Sequence, residues 1–393
     1  MINKKDININ EVLKENKNFK PPKWDKIAID ELGKKIAGEI DTREIIFLCG
    51  LGNLVINAEP SSFNLLVYSE SSAGKDYIVK NVLKIFNEFK VITRTRISKV
   101  VLNYWKPWII KKLIPANWNE KILYLPDCSE DILNCEALKL LCSDGSHITI
   151  ANLKTLEKFE DIEILGKPVI IITTANAIPN QEILNRFSVV KLDECERQTR
   201  RIHKFIPDEY NEKYLDFIAR LHPCKVNIPK EIRIKIANVF PIKLLRERRN
   251  FKRFLDYIKA VAVYHQQDKG DYVEKSIRQT IKADWKDYDI AKEVFMHLYS
   301  GISEIPLNVR QKEIVDIISK SKEPLEVQQI HNDLKNHIEI QNLRNQLKSL
   351  DNLGVLEKLN LENNFNRYVN KYQLSEEYSD KSPIKLPNSV DII

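Results

Sequence analysis

The residues whose chemistry is easiest to interpret are Gly74 and Lys75, near the end of the loop Ser69-Glu70-Ser71-Ser72-Ala73-Gly74-Lys75-Asp76. A glycine lets the backbone approach a phosphate closely, and a lysine supplies the opposite charge. The loop follows the phosphate-binding pattern G-x-x-x-x-G-K-[ST] but departs from it at both ends. Ser69 stands at the first glycine, and Asp76 stands at the Ser or Thr that would ligate magnesium. The alternative is an ordinary strand-to-helix turn with a surface lysine.

The flanking residues predict the elements that hold this loop. Residues 63–68 form an apolar run typical of a buried strand, and apolar residues recur at helical spacing after the loop. A strand, a tight loop and a helix N-terminus make an anion site, because unpaired N–H groups converge where the helix dipole is positive. The predicted nucleotide-binding residues are Ser71, Ser72, Ala73, Gly74, Lys75 and Asp76.

A second carboxylate ends another predicted buried strand, residues 122–127. In P-loop ATPases such a strand delivers an acid that holds magnesium or orients the attacking water. Asp127 is the one acid at that position, because Glu130 and Asp131 follow one helical turn later. Asp76 and Asp127 are therefore the predicted magnesium ligands. A strand followed by an acidic helix N-cap is the alternative for this segment.

Two later segments predict further strands of a parallel sheet. Residues 168–176 are almost wholly apolar until a polar end, which is the pattern of a parallel strand buried on both faces. Asn176 falls at the carboxyl end of that strand, where open α/β sheets place their ligands. Residues 188–192 predict one more strand, shortly after the pair Arg186-Phe187.

Alternating apolar and polar residues at 147–152 and 161–165 predict a β-hairpin. The tip that joins the two runs carries Lys154 and Lys158. An exposed basic tip suits contact with nucleic-acid phosphates. A hairpin without a binding role is the alternative.

Taken in order, the strand–loop–helix, the acid-tipped strand, the hairpin, the polar-tipped strand and Arg186-Phe187 resemble the core of the AAA+ ATPases. The resemblance covers roughly residues 60–265 and is closest to the pre-sensor-1 hairpin branch. That branch includes the minichromosome maintenance helicases, the viral superfamily-three helicases and plasmid or phage replication ATPases. Residues 193–201 also look like the tail of this core in mobile-element ATPases. The resemblance implies an α/β fold with a P-loop parallel-sheet core, a hairpin insertion, an α-helical lid and a C-terminal winged-helix domain.

The same resemblance implies roles for the polar residues. Lys75 would bind the β- and γ-phosphates of ATP, and Asp127 would take the acidic role beside Mg²⁺. Asn176 would be the sensor that positions water. Arg186 would be the finger that reaches the γ-phosphate of a neighbouring subunit, so the resemblance implies a homo-oligomeric ring, expected to be a hexamer. Asp76 leaves slow turnover, or binding without turnover, open.

Residues 241–260 carry seven Lys or Arg against two acids. Such a run is often a solvated helix face. In the family that this chain resembles, it would lie in the lid, whose second sensor arginine touches the nucleotide. Arg249 and Arg253 are the two candidates, and the sequence does not separate them.

Residues 307–375 predict a compact unit of three helices and a hairpin, the pattern of a winged helix. Its third helix, residues 340–353, carries Arg344 and Lys348 on the polar side, and Arg367 ends the turn of the hairpin. A winged helix commonly places its third helix in the major groove of DNA. Many winged helices bind protein instead, so both partners remain open.

Composition bounds the class of protein. The chain has 393 residues, 43% of them apolar and 30% charged, with a formal net charge of +7. No apolar run is long enough to cross a bilayer and the N-terminus is no signal peptide, so we expect a soluble, cytoplasmic protein without a membrane partner. The six cysteines form no C-x-x-C pair, which predicts reduced thiols rather than a metal site.

The pattern divides the chain into five parts: an N-terminal helical segment (1–58), an ATPase core (59–205), a helical lid (206–304), a winged-helix domain (305–376) and a flexible tail (377–393). The N-terminal segment is expected to be a docking element on the core.

Three functional hypotheses fit these observations. The first is an ATP-dependent DNA helicase or translocase of a mobile-element, plasmid or viral replication system, with single-stranded DNA in a central channel and duplex at the winged helix. The second is a nucleotide-switched replication initiator that binds an origin without unwinding it. The third is a winged-helix repressor with a degenerate nucleotide fold.

Overall fold

The computed structural model describes residues 22–69, 73–95, 97, 102, 104–105, 114–115, 117–143, 146–151, 159–175, 179–242, 247–269, 280–302, 307, 309–321, 323–334, 338–362, 368–375, 378 and 386–392. Strands and helices are numbered in chain order. The first nine strands are β1 (Leu65–Tyr68), β2 (Val91–Thr93), β3 (Tyr104–Trp105), β4 (Ile114–Pro115), β5 (Ile122–Leu125), β6 (Ser146–Ala151), β7 (Phe159–Ile164), β8 (Val169–Thr174) and β9 (Ser188–Lys191).

Five of these strands form one parallel sheet in the order β2-β5-β8-β1-β9. The register places Leu65 of β1 opposite Ile171 on one side and Ser188 on the other. The predicted α/β fold with a central parallel sheet is therefore confirmed. β2, at the edge of the sheet, has three residues and ends at Thr93.

Two antiparallel pairs accompany the sheet. β3 pairs with β4, and β6 pairs with β7 through a register that runs from Ser146 opposite Ile164 to Ala151 opposite Phe159. The residues that join β6 to β7, 152–158, lie outside the described part of the chain.

Helices flank the sheet. They are α1 (Ile40–Leu51), α2 (Lys75–Leu83), α3 (Glu130–Leu133), α4 (Glu136–Leu141), α5 (Gln181–Leu184), α6 (Glu196–His203), α7 (Glu212–Ala219), α8 (Lys230–Val239), α9 (Glu247–Tyr264), α10 (Gln266–Lys269) and α11 (Trp285–Ile302). A π-helical segment (Lys26–Glu31) and a 3-10 turn (Gly52–Leu54) flank α1, and β10 (Lys225–Asn227) pairs with β11 (Thr280–Lys282).

Successive residues of each central strand belong to two separate hydrophobic cores. In β1, Leu65 and Val67 lie in the larger core, which includes residues of α1, α2, α9 and α11. Leu66 lies in the smaller core, with residues of α3 and α4. Because both faces are covered, the strands are apolar throughout, which is why the sequence predicted them well.

The described part of the N-terminal segment belongs to the larger core. The rings of Trp24 and Phe47 lie 5.1 Å apart, and Trp24 lies 5.2 Å from Tyr264 at the end of α9. The Phe47 ring also lies 5.8 Å from that of Phe86, three residues after the end of α2. The expected docking element is thus packed into the same core as the sheet and the helices of residues 206–302.

Residues 309–374 contain α12 (Val309–Lys320), β12 (Leu325–Glu326), α13 (Val327–Asp333), α14 (Ile340–Asn352), β13 (Leu356–Glu362) and β14 (Tyr368–Leu374). The three strands form an antiparallel sheet in the order β12-β14-β13. The helices and this sheet enclose a core of their own, whose centre includes Ile314, Leu343 and Leu347.

The segment expected to be a flexible tail returns to α11. Leu386 is buried, the Tyr288 hydroxyl donates to Pro387 O at 2.9 Å, and Ser389 N donates to Asp289 at 2.9 Å. The short helix α15 (Ser389–Ile392) follows. The sequence did not predict this docking, because the apolar residues of the C-terminal segment are few and widely spaced. Among the described helices, none is long and apolar enough to cross a membrane.

Candidate nucleotide site

The loop between β1 and α2 ends in a backbone conformation that suits glycine. Gly74 is the N-cap of α2 with φ 86° and ψ 12°, in the left-handed region where a Cβ causes strain. A Cβ built on Gly74 would meet no atom within 4 Å. Glycine is therefore required at this position for its conformation, and the space in front of it is open to a ligand.

Lys75 begins α2, and its side chain is nearly enclosed, with 8% exposed. Among the described residues, no hydrogen bond or ion pair is made by its ammonium group. A lysine is almost never buried without a partner. The positive end of the α2 dipole and the first N–H groups of the helix lie beside it. Two independent features thus favour an anion at the same place.

Asp76 occupies the position where the phosphate-binding pattern has Ser or Thr, and it is held by two hydroxyl groups. The Tyr124 hydroxyl donates to Asp76 Oδ1 at 2.9 Å, and the Thr173 hydroxyl donates to the same oxygen. Within the described part of the chain, Oδ2 makes no further hydrogen bond or ion pair. The carboxylate is therefore fixed in orientation, with one oxygen left for a ligand.

Thr173 links this carboxylate to the second predicted acid. Its hydroxyl accepts a hydrogen bond from the Asp127 backbone N–H at 3.0 Å while donating to Asp76. Asp127 has a φ of 46°, a left-handed conformation that aspartate adopts more readily than most residues. Because β8 lies between β1 and β5, its last residues come between the P-loop helix and Asp127.

A cavity of about 580 Å³ adjoins these groups at the carboxyl edge of the sheet. Asp76 and Asp127 line it together with two cations, Lys80 and Arg94, and with Ser129. The structure therefore brings together three of the predicted site residues, namely Lys75, Asp76 and Asp127, at one edge of the parallel sheet.

The residues present fit a hard divalent cation. Two carboxylates on one cavity are oxygen donors of the kind that Mg²⁺ prefers, and Mg²⁺ characteristically uses one or two protein carboxylates with phosphate and water. The two hydroxyl donors occupy Asp76 Oδ1 and leave Oδ2 for a cation. Asp76 and Asp127 would be the residues that hold it.

A second group with metal-ligating side chains lies on the other side of β1. Asp41, Glu44 and His297 each present a ligand atom, and these atoms all lie within 4.8 Å of one another. Their polar atoms already pair with protein groups, since Asp41 bonds to His297 at 3.2 Å and Glu44 accepts from Trp24 at 3.0 Å. Asp41 and His297 also line a cavity of about 710 Å³ at the end of β9.

Comparison with known protein families decides the class of the domain. The family described as the MTBMA_p00010 P-loop domain matches residues 32–235, which is more than half of the chain. The chain belongs to this P-loop domain family. The comparison with curated proteins found no matching relative. The P-loop match supports a nucleotide-binding fold with Mg²⁺ in general terms.

The matched residues, 32–235, extend beyond both ends of the predicted ATPase core, residues 59–205. Its first residue, Leu32, is buried in the larger core, and α1 follows within the matched span. The structure and the match therefore agree that residues before β1 contribute to the P-loop domain.

Arg186 lies near the amino ends of the parallel strands, whereas Lys75 lies near their carboxyl ends. Arg186 precedes β9, whose first residue Ser188 pairs with Leu65 at the start of β1, whereas Lys75 follows the end of β1. A strand of this length spans about 10 Å. Arg186 donates to Glu182 at 2.8 Å, to Lys139 O at 3.0 Å and to the Ser143 hydroxyl.

The two lid candidates also lie away from Lys75. Arg253 is buried in α9, with Tyr257 and Cys49 as neighbours, and Tyr257 stacks on Phe63 at 5.6 Å just before β1. Burial, and after it the nearby Arg186, lower the pKa of Arg249 below its ordinary value. Both arginines therefore lie near the amino edge of the sheet, and the structure does not bring them to the P-loop of their own chain.

Several predicted site residues lie outside the described part of the chain. These are Ser71 and Ser72 of the loop, Asn176 after β8, Lys154 and Lys158 between β6 and β7, and Arg367 between β13 and β14. Their predicted roles stay predictions. Of the predicted nucleotide-binding residues in the loop, the structure describes Ala73, Gly74, Lys75 and Asp76.

Arg344 and Lys348 lie where the helical pattern placed them. Both are exposed on α14, whereas Leu343, Leu347 and Leu350 of the same helix are buried. The two cations, one helical turn apart, are thus available on the surface of the C-terminal unit.

Sequence reasoning missed Tyr124 and Thr173, the two hydroxyl residues that hold Asp76. One signal was available: each is a hydroxyl residue within a buried strand that is otherwise largely apolar. Buried hydroxyl groups require partners. The identity of the partner was not predictable, because it depends on β8 lying between β1 and β5.

Proposed function

We propose that the chain binds ATP with Mg²⁺ at the loop between β1 and α2 and hydrolyses it. The observation that carries this proposal is the buried Lys75, which pairs with no described residue and stands at a helix N-terminus in a P-loop domain. A triphosphate supplies the anion that this lysine requires.

Each described residue has a physical task in this proposal. Lys75 neutralises the β- and γ-phosphate oxygens, and the α2 N–H groups fix their position. Asp76 and Asp127 hold Mg²⁺, which when bound neutralises charge that develops on the transferred phosphoryl group. Thr173 links the two acids, because its hydroxyl donates to the Asp76 carboxylate and accepts from the Asp127 backbone N–H. Asn176, which follows the last residue of β8 by two positions in the sequence, orients the attacking water.

The position of Arg186 favours an oligomer. Because Arg186 and Lys75 lie at opposite edges of parallel strands, one chain does not supply both to one nucleotide. A neighbouring copy packed head to tail would place its Arg186 edge against the Lys75 edge, and heterologous contacts of this kind close into rings. A homo-hexamer is the arrangement that we propose. Arg186 would then exchange its bond to Glu182 for one to the γ-phosphate.

DNA is the proposed partner. The β6–β7 pair, with Lys154 and Lys158 beyond the described strands, would line a central channel and contact single-stranded phosphates. Arg344 and Lys348 are exposed on α14, the third helix of the winged-helix unit, and would contact duplex DNA together with Arg367. The proposed activity is that of an ATP-driven DNA helicase or translocase in a replication system.

A specific observation favours the second candidate, a nucleotide-switched replication initiator. Asp76 places a carboxylate beside the phosphates and is engaged by Tyr124 and Thr173. An added negative charge there opposes turnover more than a hydroxyl would. A protein that binds nucleotide and cleaves it slowly would act by assembly state rather than by continuous movement.

ATPase and unwinding assays on the same preparation separate the two candidates. We expect ATP hydrolysis that DNA stimulates and that disappears in Lys75→Ala, together with strand separation on a forked duplex. Hydrolysis and binding at one DNA site without unwinding would select the initiator. No nucleotide binding by wild type would contradict both.

A further inference from the structure

Asp76 and its two hydroxyl donors carry an inference about cation binding, which rests on the proposed function of the P-loop site. We propose that Asp76 and Asp127 hold a divalent cation before a nucleotide arrives, and that Tyr124 is the positioning residue that orients Asp76 for it. In the usual phosphate-binding pattern, residue 76 would be an uncharged Ser or Thr.

The first step is the orientation of Asp76. Tyr124 is fully buried and its hydroxyl is fixed by the sheet, so it restrains Asp76 Oδ1. With Thr173 on the same oxygen, the carboxylate has little freedom to rotate. Oδ2 is thereby held ready for a ligand.

The second step is the balance of charge in the cavity. Asp76 and Asp127 both line it, and two like charges facing one space repel until a cation lies between them. Lys80 and Arg94 line the same cavity, but within the described residues neither forms an ion pair with Asp76 or Asp127. Among the described residues, the two acids therefore have no counter-charge in direct contact, and Lys80 and Arg94 balance them only across the cavity.

The third step is the order of binding. A triphosphate that approaches an unoccupied pair of carboxylates meets repulsion from Asp76, whereas a bound divalent cation neutralises the charge of the pair. A cation bound first therefore increases the affinity for nucleotide. A Ser or Thr at position 76 would not create this requirement, because the hydroxyl carries no charge.

Mn²⁺ binding followed by electron paramagnetic resonance tests the proposal on the full chain without nucleotide. Wild type should take up one Mn²⁺ at this site. Tyr124→Phe removes the hydroxyl alone and should weaken Mn²⁺ binding by about 10–100-fold, the usual cost of losing an outer-shell partner. Asp76→Asn removes the charge but keeps the acceptor oxygen, and should weaken it further. Lys75→Ala should keep Mn²⁺ and lose ATP.

Two control variants make the readout specific. Tyr257 is another fully buried tyrosine, remote from Asp76, so Tyr257→Phe should leave Mn²⁺ affinity unchanged. His297→Gln removes a ligand atom from the group formed with Asp41 and Glu44, a second group of metal-ligating side chains among the described residues. Uptake at the P-loop should persist in His297→Gln.

Three results would overturn the proposal: no Mn²⁺ uptake without nucleotide, equal affinity in Asp76→Asn, or equal affinity in Tyr124→Phe. Mn²⁺ uptake that occurs only with ATP would overturn cation-first binding while leaving the proposed nucleotide function intact. Mn²⁺ uptake that Asp76→Asn abolishes, with no ATP binding in any variant, would support the cation site and remove the nucleotide function.

Discussion

The Tyr124 hydroxyl donates a hydrogen bond to Asp76 Oδ1 over 2.9 Å, joining β5 to the first turn of α2. The bond crosses β8, whose Thr173 donates to the same oxygen. A serine at position 76 is shorter by one group and has one hydroxyl in place of a carboxylate. The aspartate therefore accepts from two buried hydroxyl groups. The usual Ser or Thr at this position would not offer them a carboxylate oxygen.

Asp76→Ser should destabilise the protein even though it restores the usual P-loop residue. The buried Tyr124 hydroxyl would lose its acceptor, and an unsatisfied buried polar group costs about 1–3 kcal/mol. Urea unfolding of wild type and variant measures this difference. Asp76→Asn keeps an acceptor oxygen and should lose less. Equal stability of Asp76→Ser and wild type would contradict the role given to Tyr124.

Mixtures of two inactive variants should regain ATPase activity. If each site takes Lys75 from one copy and Arg186 from the next, Lys75→Ala and Arg186→Ala each remove every site. In rings mixed at equal ratio, about one quarter of the interfaces carry both native residues. The measurement is ATP hydrolysis after the two variants are mixed and allowed to exchange subunits.

The control for this experiment is nucleotide binding by Arg186→Ala alone. Arg186 lies at the far edge of its own sheet, so this variant should bind ATP as wild type does. Mixtures that stay inactive, although mixed rings form and the Arg186 variant binds ATP, would show that Arg186 does not complete a neighbour's site.

The sequence predicted the sheet well and the surroundings of the site less well. Three central strands, β1, β5 and β8, were identifiable because burial on both faces makes them continuous apolar runs, as in Ile170, Ile171 and Ile172 of β8. Gly74 and Lys75 were identifiable because their types are tied to local backbone and charge. Contacts such as Tyr124 to Asp76 depend on strand order, which periodicity does not contain.

Long-range packing explains why the positions of Arg253 and of the C-terminal segment differ from those predicted from the sequence. Arg253 was one of two candidates, with Arg249, for the second sensor arginine that the family resemblance implied, but α9 packs against the region before β1 and encloses the Arg253 side chain. The C-terminal residues looked loose because their few apolar side chains show no period. Leu386 becomes part of the core only where α11 offers it a surface.

The contact between His297 and Asp41 should make stability depend on pH. The hydrogen bond to Asp41 raises the pKa of His297 above its ordinary 6.5, with Glu44 and Glu293 adding to the effect, and the same bond lowers the pKa of Asp41. The contribution from His297 is therefore full below about pH 6.5 and is lost as pH rises through the raised pKa.

Urea unfolding between about pH 5.5 and about pH 8.5 measures this dependence in wild type and His297→Gln. The difference in unfolding free energy should shrink as the pH rises. Both side chains are partly exposed, so the difference should stay below about 1 kcal/mol. A difference that is constant over this range, or that grows with pH, would contradict the pairing.

Leu386→Ala should weaken the attachment of the C-terminal segment to α11. Leu386 is 5% exposed, and removing a buried leucine side chain costs about 2–5 kcal/mol. Val390 in the same segment is 78% exposed, so Val390→Ala should change stability by less than about 0.5 kcal/mol. Thermal unfolding compares the two. Equal effects would show that the segment is not docked through Leu386.

Isothermal titration calorimetry with a non-hydrolysable ATP analogue and Mg²⁺ is the most direct test of the phosphate site. We expect wild type and Lys84→Ala to bind, and Lys75→Ala to bind far more weakly. Lys84 is an exposed lysine just after the same helix, so the two variants differ in position and not in charge. Equal binding by Lys75→Ala and Lys84→Ala, or no binding by wild type at millimolar nucleotide, would contradict a nucleotide held by Lys75 at the start of α2.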